Sequence, residues 1–243
     1  MSHNIIGGEG ERKALLVIST ILIAYIVLAA SFFIVLFDHG FYDRSYDKYG
    51  TYKELGVEGI RQITDNLINY LISENTEINK IPALITFTAD ERSHLVDVRN
   101  LIRRGKHIAL LCLLGLAAII LRLRAKGWLA EDWRKMLRYG GYAVAAMLIA
   151  LFSMSYLGFD SAFGSFHQAF FPQGNYMFPS DSLIKTMFPD EFFRDFAVRM
   201  GFHILVMGLI LYFLGSRFAL GRTKPEEGKK RKKKKREKIM ERR

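Results

Sequence analysis

Cysteine is almost missing from this sequence, which holds one residue of that type, Cys112, among 243. A lone thiol excludes an internal disulfide framework and joins no metal cluster. Its place inside an apolar run makes it a small buried apolar residue. The His-Glu-x-x-His pattern is also missing, as is any cysteine pair at metal-ligand spacing, so nothing in the ligand spacing supports a metal site. A Gly-x-Ser-x-Gly nucleophile motif is absent, Gly164-Ser165 being only a fragment of one. There is no internal repeat. Aromatic side chains are not interleaved among the cations of the basic C-terminal tail, which argues against base stacking and hence against a nucleic-acid partner.

What the chain does have is segregation. Half of its residues are hydrophobic, and they gather into long runs between strongly charged stretches, unlike an average soluble domain. Four runs approach the roughly 20 apolar residues that cross a hydrocarbon core of about 30 Å. They are Ala14–Phe37, His107–Leu121, Tyr142–Leu157 and Val198–Phe213. Backbone groups in lipid find no water, so each run is expected to be a helix. The first run is longer than the roughly 7–15 apolar residues of a cleaved signal peptide, so it reads as an anchor despite the faintly cleavage-like Leu28-Ala29-Ala30-Ser31.

The formal net charge of +11 is concentrated, since Arg217–Arg243 holds 14 Lys and Arg against 4 Glu. That tail, and the basic loop Arg122–Arg138, read as cytoplasmic by the positive-inside rule and as neighbours of anionic lipid. Both termini then lie in the cytoplasm. Arg103, Arg104 and Lys106 sit at the other end of the second run, where snorkelling or lipid headgroups would account for them. The expected organisation is residues 1–37 for the N-terminus and first span, 38–105 for an extracytoplasmic cap, and 106–158 for the second and third spans. An aromatic-rich extracytoplasmic segment follows at 159–197, then the fourth span at 198–217 and the tail at 218–243.

Within the cap, Val57, Ile60, Ile63, Leu67 and Leu71 have helical spacing. Pro82–Thr88 reads as a short strand. Thr88-Ala89-Asp90-Glu91 is a capping box that opens a helix, with Gly105 as a candidate break. The expected fold class is therefore membrane all-α, a four-transmembrane-helix bundle with a small mixed α/β extracytoplasmic cap. The second outer segment is crowded with aromatics, among them Phe159, Phe163, Phe166, Phe170, Phe171, Tyr176, Phe178, Phe188, Phe192, Phe193 and Phe196. Pro172, Pro179 and Pro189 rule out one continuous helix there. So much aromatic surface has to pack on the cap, lie in the membrane interface, or both. An aromatic belt and an apolar vestibule for lipid chains explain it equally well.

Of the six histidines, two stand out. His94 has Asp90 at i−4, Glu91 at i−3 and Asp97 at i+3, spacings that put carboxylates near the ring. A carboxylate holding one ring nitrogen leaves the other free as a general base. A histidine making surface contacts on a polar helix face is the competing reading. His167 sits in Phe166-His167-Gln168-Ala169-Phe170-Phe171, where a polar ring among aromatics needs a partner, structural or catalytic.

Two stretches resemble the signature of the bacterial lipoprotein intramolecular transacylase family, four-span membrane enzymes. One is Phe87-Thr88-Ala89-Asp90-Glu91-Arg92-Ser93-His94-Leu95-Val96-Asp97-Val98, which is similar to the family's Glu-x-x-His-x-x-Asp-Val element. The other runs from Phe166-His167-Gln168 through Asn175-Tyr176-Met177-Phe178-Pro179 to Asp181-Ser182-Leu183-Ile184 and Phe188-Pro189. The long basic tail departs from the family, as does Tyr176, where tryptophan is expected. The resemblance implies a diacylglyceryl-modified lipoprotein as substrate, with the sn-2 acyl chain moving to the α-amine of its N-terminal cysteine to leave the lyso-form. It implies no cofactor and no external acyl donor. It places His94 and His167 as catalytic residues and Glu91 and Asp97 as supporting ones. Phe166, Phe170, Phe171, Tyr176 and Phe178 would contact substrate and membrane lipid. A non-catalytic membrane assembly or transport accessory with a partner-binding cap also explains the spans and belt, though not a histidine in each outer segment. A metal-dependent membrane hydrolase is a third reading.

Overall fold

The computed structural model describes residues 3–217, and the side chains of 8–153 and 158–216 among them. The basic tail from residue 218 onward falls outside the described residues. Among the described residues four helices are long and apolar enough to cross a membrane, matching the four runs. They are α1 (His3–Leu36), α5 (Ala89–Ala125), α6 (Leu129–Leu157) and α9 (Asp190–Arg217). Three short helices, α2 (His39–Tyr49), α3 (Thr51–Leu55) and α4 (Val57–Ile72), follow α1, and α7 (Phe159–Phe170) and α8 (Leu183–Met187) precede α9.

In the bundle α1 packs against α5, α6 and α9, and α6 and α9 pair most closely. That pairing depends on small residues. A Cβ on Gly215 would stand 3.0 Å from the Arg138 amide nitrogen and 3.1 Å from the Arg134 carbonyl, and one on Gly208 would stand 2.9 Å from Val144 Cγ1. Without hydrophobic attraction between helices in lipid, such close backbone approach supplies the packing. Ser19 and Ser31, both fully buried in α1, donate their hydroxyls back to the carbonyls of Leu16 and Val27 at 2.8 Å, so neither hydroxyl is stranded. Leu110, Leu111, Ile149, Phe152, Ile210 and Phe213 are exposed, as a lipid-facing surface requires.

At 37 residues α5 is about 55 Å long, well beyond the hydrocarbon thickness of about 30 Å. Its first 17 residues, Ala89–Gly105, nearly five turns, pack against α4 and bury Leu95 in the cluster formed with the short helices. The helix continues unbroken through Gly105, whose carbonyl accepts from the Tyr25 hydroxyl at 3.2 Å. The cap has its own core, built from Phe41, Tyr46, Ile60, Leu67, Leu84 and Phe87 with neighbours from every cap helix. The helix expected from Val57 onward is α4, and Ile60, Leu67, Ile68 and Leu71 on one of its faces are buried. Gly50, with φ +80°, ends α2 in the left-handed conformation that glycine adopts freely and turns the chain into α3.

The cap is not mixed α/β. Among the described residues there is no β-strand. Pro82–Thr88, expected as a strand, is a 3-10 turn at Pro82–Leu84 and a bend. Proline at the first position presets φ and lacks an amide hydrogen, and the amides that follow close locally instead of reaching a neighbouring strand. Leu84 N donates to Ile81 O at 2.9 Å, Ile85 N to Pro82 O at 3.3 Å, and Phe87 N to Leu84 O at 3.3 Å. The turn drops Leu84 and Phe87 into the core, while the Arg92 guanidinium takes the Ile85 and Phe87 carbonyls.

Polar clamps fix cap to bundle. Arg199 of α9 binds Asp38, the N-cap of α2, and Lys48 and Tyr49 of α2 both bind Asp195 of α9. Arg99 of α5 donates to the carbonyls of Ser73, Glu74 and Thr76, holding the end of α4. At the opposite end of the bundle, Arg12 pairs with the fully buried Asp132.

Candidate functional site

The site begins at the capping box that opens α5. Thr88 Oγ1 accepts from Glu91 N at 3.3 Å, and Glu91 Oε2 accepts from Thr88 N at 2.7 Å. The other Glu91 oxygen accepts from Ile184 N, at the start of α8, at 2.8 Å. Glu91 is 1% exposed, and both of its oxygens are engaged by backbone amides. It ties the first turn of α5 to the aromatic segment, and so brings residues 163–178 alongside His94.

One turn further on, His94 is 6% exposed. The Phe171 ring lies 4.7 Å from it and the Phe178 ring 5.5 Å, both edge-on. His167, from α7, stands beside it with ring centroids 6.1 Å apart and planes 24° from parallel. The two histidines are thus brought together across 73 residues of chain. Phe163, Tyr176, Phe166 and Phe171 surround His167 at centroid distances of 4.2, 5.0, 5.6 and 5.6 Å. Its Nδ1 lies 2.8 Å from the Phe163 carbonyl. A carbonyl only accepts, so Nδ1 carries the hydrogen and the lone pair of neutral His167 is on Nε2. His94 Nδ1 is buried and has no hydrogen-bond partner.

Asp97 faces the loop after α7. Its Oδ2 accepts from Gln173 Nε2 and from Asn175 Nδ2, each at 2.7 Å. Asn175 Nδ2 also approaches Ser93 Oγ at 3.3 Å. Gly174, between the two amides, has φ +79°, the conformation that turns the loop so that both reach one carboxylate. Burial pushes the His94 pKa down to about 4, helped by the neighbouring His167 and opposed by Asp97 and Asn175. His167 is also held below the usual histidine range, first by burial, with the Phe163 carbonyl opposing and Lys185 adding to the depression. Both rings are therefore neutral bases at neutral pH.

The aromatic residues divide. Phe171 is buried at 2%, Tyr176 and Phe178 are half-buried, and Phe166 and Phe170 are exposed at 42% and 52%. Phe178, Phe188, Phe192 and Phe196 pack into or against the cap core. The segment thus both covers the cap and presents apolar surface beside the histidines. Gln173 and the Phe163 carbonyl had no role in the sequence reading, and Asn175 stood there only as part of the resembling stretch. Two amides flanking a glycine in an otherwise aromatic stretch were the available signal. The other histidines lie elsewhere: His39 pairs with Asp65, His107 is near Glu74, and His203 is in the fourth span with Nε2 buried and unpartnered. Among the described residues no three His, Cys, Asp or Glu side chains are grouped to hold a metal. A cavity of about 990 Å³ opens at the other end of the bundle, between α1, α5, α6 and α9, lined by Ile23, Leu116, Trp133, Met136 and Met207.

No curated protein matches the chain in sequence. Among solved structures, it is similar to the in meso structure of the membrane integral lipoprotein intramolecular transacylase Lit from Bacillus cereus. The identity is 21%, covering 88% of this chain and 97% of that one, with a TM-score of 0.76. Two variants of the same Bacillus cereus protein, with a histidine replaced by arginine or by alanine, match at 20% and 19% identity, with TM-scores of 0.76 and 0.75. Each covers 90% of this chain, and 96% and 97% of the other, respectively. At these identities the likeness shows a shared fold. The sequence model of one family, described as lipoprotein intramolecular transacylase Lit, matches residues 17–193, most of the chain, and on that match the chain belongs to this family of multi-span membrane proteins.

Proposed function

We propose that His94 and His167 are the proton-handling residues of the acyl transfer that this family performs. The chain is an acyltransferase of the bacterial cell membrane. It moves the sn-2 acyl chain of the diacylglyceryl group to the α-amine of the lipoprotein's N-terminal cysteine, giving the lyso-form. The observation that carries the residue assignment is the pair of neutral imidazoles 6.1 Å apart in an aromatic-walled seam between cap and bundle. That two of the solved relatives were altered at a histidine is in keeping with it.

The substrate arrives with an ammonium group and an ester in one molecule. His167 Nε2 takes a proton from the ammonium, which frees the amine lone pair. The nitrogen bonds to the ester carbonyl carbon and the carbonyl becomes an oxyanion. His94 takes the second proton from the nitrogen, now cationic and acidic. The carbonyl re-forms as the bond to the glyceryl oxygen breaks, and His167 returns its proton to that oxygen. The products are an amide, a free hydroxyl and one proton, which His94 releases readily because its pKa is low. Atoms and charge balance without a cofactor or a second acyl donor. Orientation of two groups already in one molecule can remove roughly 7–11 kcal/mol of barrier, so the protein's main task is to hold the ring-like geometry.

In this reading the cap and both histidines face the outside and both termini the cytoplasm, on the charge of the Arg122–Arg138 loop and the tail. Phe166 and Phe170 lie where acyl chains enter from the outer leaflet. The test uses purified protein in liposomes with a diacylglyceryl lipoprotein, read by mass spectrometry of its N-terminal peptide. Wild type should shift one acyl chain from glycerol to the amine. His94→Ala and His167→Ala should each abolish this, and the double variant should be little worse than either. Near-normal conversion by both single variants would refute the assignment.

A further inference from the structure

α5 runs along α1 but meets α6 sparingly, whereas α6 and α9 pair closely. That unevenness leaves the cavity of about 990 Å³ as an open cleft between α5 on one side and the α6–α9 pair on the other, with α1 contributing Ile23, Ile26 and Val27. Leu113, Leu116 and Ile120 line it from α5, Trp133 and Leu137 from α6, and Ile210 from α9. Arg124 is the one charged residue in the lining. An ordered water needs two to four polar partners, so this space holds water poorly. A close-packed interior does not keep a void of this size either. Hydrocarbon is the filling that fits.

The dimensions say which hydrocarbon. Leu113 and Arg124 are eleven residues apart on α5, about 16 Å along its axis and about half of a hydrocarbon core of about 30 Å. The cleft is therefore one leaflet deep, on the side of the Arg122–Arg138 loop. Its rim carries positive charge that the protein does not neutralise. Glu9 is engaged by Lys13, Glu11 by Arg122, Glu131 by Arg12, and Asp132 by Arg12 and Lys135. With the neighbouring acids taken in this way, neither Arg124 nor Lys126 is ion-paired with a carboxylate among the described residues. Lys126 Nζ stands 5.9 Å from the Trp128 ring, an aromatic at the same level.

We propose that the cleft is a binding site for an anionic phospholipid of that leaflet, with one acyl chain between α5 and the α6–α9 pair and its phosphate on Arg124 and Lys126. A guanidinium engages phosphate oxygens in pairs, and the adjacent ammonium adds a point charge. The site is at the far end of the bundle from His94 and His167 and does not rest on the acyl-transfer reading. It does bear on α5, an unbroken helix that carries His94 near its other end, so a lipid wedged into the cleft braces the helix that holds the histidine.

The chain supplies its own reporter, since Trp128 and Trp133 are its two tryptophans and Trp133 lines the cleft. In Trp128→Phe the fluorescence comes from Trp133 alone. The intact chain, delipidated in neutral detergent, is placed in phosphatidylcholine vesicles holding a minor fraction of phosphatidylglycerol brominated on its acyl chains. Brominated phosphatidylcholine at the same fraction is the comparison. Bromine quenches indole on close approach, so phosphatidylglycerol should quench Trp133 at a lower mole fraction and saturably. Arg124→Gln should raise the half-quenching fraction about fivefold, the share of one cation beside anionic lipid. Lys13→Gln removes the same charge at the same end of the bundle but outside the cleft, and should leave that fraction unchanged. Ala130→Phe puts a ring into the cleft while keeping the basic rim, and should reduce quenching by phosphatidylglycerol to the level of phosphatidylcholine. Equal quenching by the two brominated lipids in Trp128→Phe would overturn the proposal. So would an equal loss in Lys13→Gln and Arg124→Gln, which would mean diffuse attraction to a basic surface. Should Arg124→Gln fail to insert, Ala130→Phe decides alone, and undiminished selective quenching in it overturns the site. Loss of the preference in millimolar inorganic phosphate would show a free-anion site at the rim instead of a lipid site.

Discussion

Glu91 offers the sharpest separation between a structural and a catalytic carboxylate. In sequence it is a candidate to orient His94 from i−3. In the structure its two oxygens accept from Thr88 N at 2.7 Å and Ile184 N at 2.8 Å, with 1% of the residue exposed. Glu91→Gln keeps the shape but turns an NH2 toward one of these amides. One charge-assisted hydrogen bond, worth about 1.5–3 kcal/mol, is lost and a buried amide is left without a partner. The favourable charge at the N-terminus of α5 disappears as well, a further 0.3–1 kcal/mol or so. A destabilisation of about 2–4 kcal/mol follows, and somewhat more for Glu91→Ala, which strands both amides. At about 2–4 °C per kcal/mol the thermal midpoint should fall by roughly 4–16 °C for Glu91→Gln. The assay is thermal unfolding in detergent followed by near-ultraviolet circular dichroism, with conversion measured well below the midpoint. Activity there should keep the wild-type pH profile. An unchanged midpoint together with a displaced pH profile would refute the structural assignment and return Glu91 to the role of orienting His94.

Phe171→Ala should cost about 3–5 kcal/mol, since the ring is buried between both histidines, and should lower both the midpoint and kcat. Phe170→Ala, at an exposed position, should leave the midpoint near wild type and raise KM for lipoprotein; equal destabilisation by the two would show that α7 is not oriented as described. In a chain with Cys112 replaced by alanine, Asn75→Cys should react with an impermeant thiol reagent in intact cells and Lys126→Cys should not. The reverse pattern would invert the topology. Low pH should destabilise the protein through His94. Its folded pKa of about 4 lies below the ordinary value near 6.5, so the unfolded chain binds the extra proton first. Stability from keeping this ring neutral is complete above about pH 6.5 and is lost as pH falls toward 4. The fall in midpoint over that window should be shallower in His94→Gln, and an identical slope would count against the burial argument.

The spans were legible because lipid leaves the backbone no alternative to helix, so apolar length alone decides. The capping box was legible because its chemistry is local, closed within four residues. Pro82–Thr88 misled because β-branched and aromatic residues record a wish to be half-buried, not a strand. With Pro82 presetting a turn and no neighbouring strand to pair with, Leu84 and Phe87 reach the core through a 3-10 turn instead. Gly105 misled for the opposite reason, since a single glycine costs a helix only about 1 kcal/mol and packing on Tyr25 tolerates it. His94 and His167 were visible as polar residues in informative settings. Their partners were not, because Asn175 reaches Asp97 across 78 positions and Ile184 reaches Glu91 across 93. Helical spacing pointed to Glu91 and Asp97 as direct neighbours of the ring, but spacing cannot reveal which acceptors a distant loop has already claimed.

The site's position follows from what an acyl transfer within one molecule must avoid. The ester that the amine attacks is equally open to water, and attack by water would release a fatty acid and leave the amine bare. A base that activates the amine also activates water, so stronger basicity alone does not favour transfer over hydrolysis. Exclusion of water does. His94, the base in the mechanism we propose, is buried by Phe171 and Phe178, and its pKa is low for that reason. The same burial makes His94 a weak base toward a resting ammonium but an adequate one toward the acidic nitrogen formed after attack. A cap with its own core, bolted to α5 and α8 by Glu91 and to α9 by Arg199, holds that wall without help from substrate. The exposed rings of Phe166 and Phe170 present apolar surface beside the histidines, the side on which the proposed mechanism has the lipid enter and where bulk water gains little by following.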